Sequence, residues 1–221
     1  MRTAALNARD HGAANAAMRR GRSRGFTLIE MLVALAIASI LLGVGVPSFA
    51  EAIKNSRLNA PWSDLRYALY LARSEATKRS RFVSVCARAS DASCGTDWSA
   101  GWLVFVEPAK PPAAESPATL EDPDAILRAF EPGSDGLAIF ASGSSNRTAS
   151  GASARAVITY DAEGRADWRN GYFGLCDDRG AKAGRVINVG LTGEVRNGRR
   201  GSDGIELDVF DRELACPAVT S

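Results

Sequence analysis

The chain has 221 residues, 46% apolar and 24% charged, enough for one ordinary globular domain with a segment appended. Its formal net charge of +2 conceals a split. Residues 1–25 carry six arginines against one aspartate, and the other 196 carry 21 basic against 24 acidic side chains, which excludes a uniformly basic nucleic-acid binder.

The only histidine, His11, lies in the basic N-terminal segment, so its removal would exclude Ser-His-Asp and Cys-His catalysis and His-ligated zinc. Four cysteines, at 86, 94, 176 and 216, form no CxxC pair, which argues against a zinc ribbon or a thioredoxin-type redox site. Neither GxxxxGK[ST] nor GxGxxG occurs. These features point away from an enzyme, and no cofactor is expected.

Residues 31–50, MLVALAIASILLGVGVPSFA, are twenty consecutive residues without a charge. As a helix they span about 30 Å, the thickness of a bilayer's hydrocarbon core. The upstream arginines predict a cytoplasmic N-terminus and a C-terminal body on the opposite side. A secretory signal peptide has the same charge order, but its apolar core runs only about 7–15 residues. Hydropathy alone reads this segment as a plain single-pass anchor.

The string Gly25-Phe26-Thr27-Leu28-Ile29-Glu30 carries more. It resembles the cleavage site of type IV prepilins and pseudopilins. The resemblance implies cutting by a prepilin peptidase between Gly25 and Phe26, and N-methylation of Phe26 as the new first residue. Glu30 then falls at the fifth mature position, where this family carries a glutamate, and Pro47 at the twenty-second, where pilins commonly carry a helix-distorting proline. A carboxylate deep in a membrane costs roughly 2–3 kcal/mol. The resemblance implies that Glu30 is compensated by the N-terminal amine of a neighbouring subunit, a pairing that sets register between assembling helices. The leader, residues 1–25, starts at Met1, or at Met18 if translation begins there.

Beyond the apolar run, Leu58, Trp62, Leu65, Leu69, Ala72 and Ala76 recur at helical spacing and predict an amphipathic extension over 51–80 that packs on the body. Lys54, Arg57, Arg66, Arg73, Lys78 and Arg79 interleave on the other side. Pro61 predicts a kink or restart, with Asn59 as a cap.

From residue 81 the period becomes two. Strands are expected at 82–86, 102–106, 126–130, 156–160, 172–176, 185–191 and 205–210. Glu163-Gly164 and Asn197-Gly198 are expected as turns, and the proline-rich stretch 107–124 and the Ser/Gly/Asn-rich stretch 141–154 as loops. The fold class expected is α+β, a long N-terminal membrane-spanning helix packed on an antiparallel β-sheet body over 81–221. Four cysteines permit three pairings. A body outside the inner membrane sits in an oxidising compartment, and the pairs expected are Cys86–Cys94 and Cys176–Cys216.

The body also carries a resemblance. Ala72-Arg73-Ser74-Glu75-Ala76, Val85-Cys86, Cys94, Asp97-Trp98 and Gly101-Trp102-Leu103-Val104-Phe105 are similar to the GspH/FimT family of minor pilins and pseudopilins. So are Ile158-Thr159-Tyr160-Asp161, Gly164-Arg165-Ala166, Cys176, Arg185-Val186-Ile187, Thr192-Gly193 and Cys216. The resemblance implies a structural subunit that assembles with other pilin or pseudopilin subunits through its N-terminal helix, in a type II secretion pseudopilus or a type IV pilus. It implies a single pass through the bacterial inner membrane and a periplasmic body.

Some FimT-like members are implicated in DNA uptake through a GRxR motif. The matching string here is Gly193-Glu194-Val195-Arg196, with glutamate in place of the first arginine, which opposes phosphate binding. Residues 179–201 nevertheless hold six basic residues and one acidic, against a net of −5 over 111–135. A hairpin at Asn197-Gly198 would expose Arg196, Arg199 and Arg200 together, as a contact for double-stranded DNA or for an acidic patch on a partner subunit.

Overall fold

The computed structural model describes residues 25–108, 125–131, 136–143, 156–167 and 171–217. The chain divides into two compact units after Pro47. A single helix, α1 (Leu28–Arg79), supplies both the first unit and the start of the second. Its N-terminal part is long and apolar enough to cross a membrane, and its side chains from Leu28 to Pro47 are exposed.

Within the second unit, α1 buries Leu58, Pro61, Leu65, Ala68, Leu69, Ala72 and Ala76. This is the expected stripe, each fully buried leucine contributing about 1.5–3 kcal/mol. Trp62 sits half-buried at its margin. The restart expected at Pro61, with Asn59 as its cap, is corrected: α1 is continuous through both residues. Proline removes one N–H and so one hydrogen bond to residue 57, yet Pro61 sits buried within the unbroken helix.

The strands follow in chain order as β1 (Val83–Ser90), β2 (Ser93–Cys94), β3 (Trp102–Val106), β4 (Ile126–Phe130), β5 (Ala138–Gly143), β6 (Val157–Tyr160), β7 (Gly171–Cys176), β8 (Arg185–Val189), β9 (Val195–Asn197), β10 (Arg199–Arg200) and β11 (Glu206–Leu207). A 3₁₀ turn, Trp98–Ala100, precedes β3, with the Asp97 side chain accepting from the Ser99 amide. All strand pairings are antiparallel. One sheet runs β2-β1-β3-β4 with β6 also on β1, a second runs β5-β7-β8-β9, and β10-β11 form a separate pair.

Period two is visible in the burial. Val83, Val85 and Ala87 join the helix-facing core, with Trp102 and Val104 across from them; Cys86, Leu103 and Phe105 form a second cluster on the opposite face. In the second sheet Ile139, Ala141, Phe173, Leu175, Ile187 and Val189 face the helix core. Phe140, Tyr172, Cys176 and Val186 are covered on their other side by Leu214. Trp98 meets Phe173 edge to face at 4.8 Å and so ties the 3₁₀ turn to the second sheet.

Three expectations are corrected. The strand expected at 205–210 shrinks to β11, because the Asp208 carboxylate accepts the Phe210 and Arg212 amides and folds the chain back. Residues 141–143 belong to β5, whereas 144–154 of that expected loop lie outside the described residues. Asn197-Gly198 makes no hairpin: β9 pairs with β8 and β10 with β11, and the Gly198 amide donates to Val186 O, so the chain runs on extended. Of the stretch 107–124, only Glu107 and Pro108 are described, and the leader is described only at Gly25.

Candidate functional site: the helix start, the turn clamp and the basic strands

Gly25, Phe26 and Thr27 precede α1, and Leu28 is its first residue. Thr27 caps the helix: its hydroxyl accepts the Glu30 amide at 3.3 Å and its carbonyl accepts the Met31 amide at 3.2 Å. Thr27-Leu28-Ile29-Glu30 is thus the Thr-x-x-Glu spacing of a capping box, a signal that was in the sequence but was not drawn from it. Glu30 stands in the first turn, where the helix dipole favours a carboxylate. Gly25 and Phe26 are exposed beside it.

Where α1 enters the second unit, a loop between β7 and β8 grips it. Lys54 pairs with Asp178 at 2.6 Å, and the Arg179 guanidinium reaches Glu51, Asn55 and Asp177. The hydrogen bond from Lys54 holds the Asp178 carboxyl below its usual range, and the same contact raises Lys54. Farther along, Arg73 donates to Gly164 O through Nε and to Thr192 O through Nη2, both at 3.0 Å. Gly164 (φ +73°) and Gly193 (φ +74°) each end a tight turn, and a Cβ on Gly193 would stand 2.0 Å from Gly164 O. Two turns packed backbone to backbone are therefore pinned to the helix by one guanidinium.

Cys86 joins Cys94, with Cα atoms 5.7 Å apart, and Cys176 joins Cys216 at 5.8 Å. These are the two pairs expected. The first closes the β1-β2 hairpin. The second ties the last described residues to β7, next to Leu214, whose side chain occupies the space left by Gly174 and Gly184.

The three arginines of the expected basic turn are not gathered into a free cationic cluster. Arg196 lies 3.7 Å from Glu194, Arg199 pairs with Asp211 at 2.7 Å, and Arg200 donates to Gly204 O. Glu194 also accepts from Thr192, over a position where Gly190 has no side chain to obstruct it. Among the described residues, no group of three or more His, Cys, Asp or Glu is placed to hold a metal.

A capped apolar helix that continues as one element into a disulfide-stapled, antiparallel β body defines a pilin-like structural subunit. The chain belongs to the type II transport protein GspH family, whose model matches residues 63–193, and residues 20–46 match the prokaryotic N-terminal methylation motif, the mark of a prepilin peptidase substrate. Among solved structures it is similar to the type IV minor pilin FimU of Pseudomonas aeruginosa in two crystal forms. One has 21% identity and a TM-score of 0.47, covering 66% of this chain and 91% of that one. The other has 22% and 0.45, covering 64% and 93%. The minor pseudopilin EpsH from the type 2 secretion system of Vibrio cholerae shares 8% identity at a TM-score of 0.41, covering 66% and 99%. No curated protein sequence matches the chain significantly.

Proposed function

We propose that this chain is a minor pilin or pseudopilin without chemistry of its own, cut after Gly25, methylated on Phe26 and drawn into a filament by α1. Residues 26–50 would hold it in the bacterial inner membrane before assembly. The arginine-rich flank supports a cytoplasmic N-terminus and a periplasmic body, and two disulfides suit an oxidising compartment. The observation that carries this reading is the helix start: Gly25 and Phe26 lie exposed before Thr27, and Glu30 stands in the first turn of a charge-free apolar helix. A carboxylate there is costly in lipid and becomes favourable when a cation, here the Phe26 amine of a neighbour, pairs with it.

Glu30→Ala and Glu30→Gln test this reading together. Glutamine keeps the capping-box residue type but not the charge. Both variants are expected to be cleaved normally and to lose filament incorporation by about tenfold. Normal incorporation of Glu30→Gln would contradict the ion pair. Double-stranded DNA is the alternative partner: Arg196 and Arg199 are exposed, but each stands beside a carboxylate, Glu194 and Asp211, that opposes phosphate.

A further inference from the structure

One flank of α1 in the second unit alternates aromatic and cationic side chains. Trp62, Arg66 and Tyr70 follow at steps of four, so they lie one above another along the helix. The Arg66 guanidinium lies 4.7 Å from the Trp62 ring centroid and 5.8 Å from that of Tyr70. The Tyr70 hydroxyl donates to Val195 O on β9, which ties this flank to the second sheet. That sheet supplies a second guanidinium. Arg185 opens β8 on the same side as Ile187 and Val189, which face the helix, and it lies 6.0 Å from the Trp62 ring centroid.

Two like charges thus share one indole, and their counter-charge is incomplete. Glu206 is buried with both oxygens engaged: Oε1 accepts Arg185 Nη1 at 3.0 Å and Oε2 accepts the Val186 amide at 2.7 Å. Among the described residues Arg66 meets rings and pairs with no carboxylate, so one positive charge is left over.

Hydrogen bonding is incomplete in the same place. Trp62 Nε1, Arg66 Nε and Arg185 Nε are buried donors without an acceptor among the described residues. A ring face attracts a guanidinium but accepts no conventional hydrogen bond from its edge. Buried N–H groups and partly desolvated charge are costly until something accepts them. A bridging water takes the protons and leaves the charge. The Arg185 side chain is 31% exposed, so the cluster is open to solvent at its edge. A carboxylate answers both needs, because it carries one negative charge and offers two oxygens to planar N–H donors.

We propose that Trp62, Arg66 and Arg185 form a receptor site for one carboxylate group, supplied by a small acid or by an acidic side chain of a neighbouring protein. The inference goes beyond the filament-subunit reading and does not depend on it.

The test uses the full chain in phosphatidylcholine nanodiscs, isotope-labelled at the indole nitrogens of its four tryptophans. The Trp62 signal is assigned by its loss in Trp62→Phe. Sodium acetate is titrated against sodium chloride at equal ionic strength and neutral pH, with phosphate in a second series. The expected result is a saturable downfield shift of the Trp62 indole proton by acetate, half-complete in the millimolar range, and a weaker response to phosphate. Arg66→Gln should weaken acetate binding about tenfold while the Trp98 and Trp102 signals, from the core, stay in place. Arg66→Lys keeps the charge without the guanidinium and should fall between the two. A shift that never saturates, one that phosphate matches, or one that Arg66→Gln leaves unchanged would overturn the proposal. Carbodiimide then separates the two sources. A crosslink from position 66 of the Arg66→Lys chain to another protein in recovered filaments, absent from the isolated chain, supports an acidic side chain. Acetate binding without that crosslink supports a small acid.

Discussion

Arg73 joins three parts of the chain that lie far apart in sequence. It sits on α1 and donates to carbonyls in the turns ending at Gly164 and at Gly193. The strings around Arg73, Gly164 and Thr192-Gly193 read separately along the sequence, and no periodicity links them. The structure shows why they belong together: one guanidinium satisfies the Gly164 and Thr192 carbonyls of two turns that meet where a side chain on Gly193 would strike Gly164 O. Arg73→Met keeps the aliphatic stem and leaves both carbonyls without their donor. It is expected to cost about 2 kcal/mol and lower Tm by roughly 4–8 °C in thermal unfolding followed by circular dichroism. An unchanged Tm would show that the clamp contributes nothing net. Glu194 is legible in the opposite sense. Its replacement of an arginine was visible in the sequence, but its placement over Gly190, accepting from Thr192 and beside Arg196, required the fold.

At the scale of elements, α1 was the most readable. Its buried stripe follows from 3.6-residue spacing, and the restart expected at Pro61 does not occur, the proline being buried within a continuous helix. Six of the seven expected strands formed close to where alternation placed them. β5 was missed because Ala138-Ile139-Phe140-Ala141 is apolar without alternation, its residues being buried on both faces of the second sheet. Asn197-Gly198 misled for a related reason: the dipeptide permits a tight hairpin, but the pairing partners of β9 and β10 are different strands. The disulfides rank by the loops they close, 8 and 40 residues. Replacing Cys86 and Cys94 by alanine should cost about 2.5 kcal/mol and replacing Cys176 and Cys216 about 4 kcal/mol in urea unfolding under oxidising conditions. The reverse order would mean that the C-terminal tie carries less of the body's stability than the β1-β2 hairpin.

For the whole molecule, charge distribution and hydropathy spoke before any contact was known. The arginine-rich start, the uncharged run of 31–50 and the carboxylate at Glu30 set the logic of an anchored precursor, and the acidic 111–135 opposed a basic 179–201. Family membership and the methylation motif agree with that logic. What sequence could not supply was the pairing of those charges. Arg179 and Arg185 are packed against Asp177 and Glu206, so part of the basic region serves the fold, while Arg196 and Arg199 stay exposed beside Glu194 and Asp211. The central claim is that processing at Gly25 releases the helix for assembly, and it is tested most directly by intact mass and N-terminal sequencing of the subunit recovered from filaments. The account predicts a chain that begins at methylated Phe26 and lacks residues 1–25. Filaments carrying the subunit with that segment still attached would contradict it.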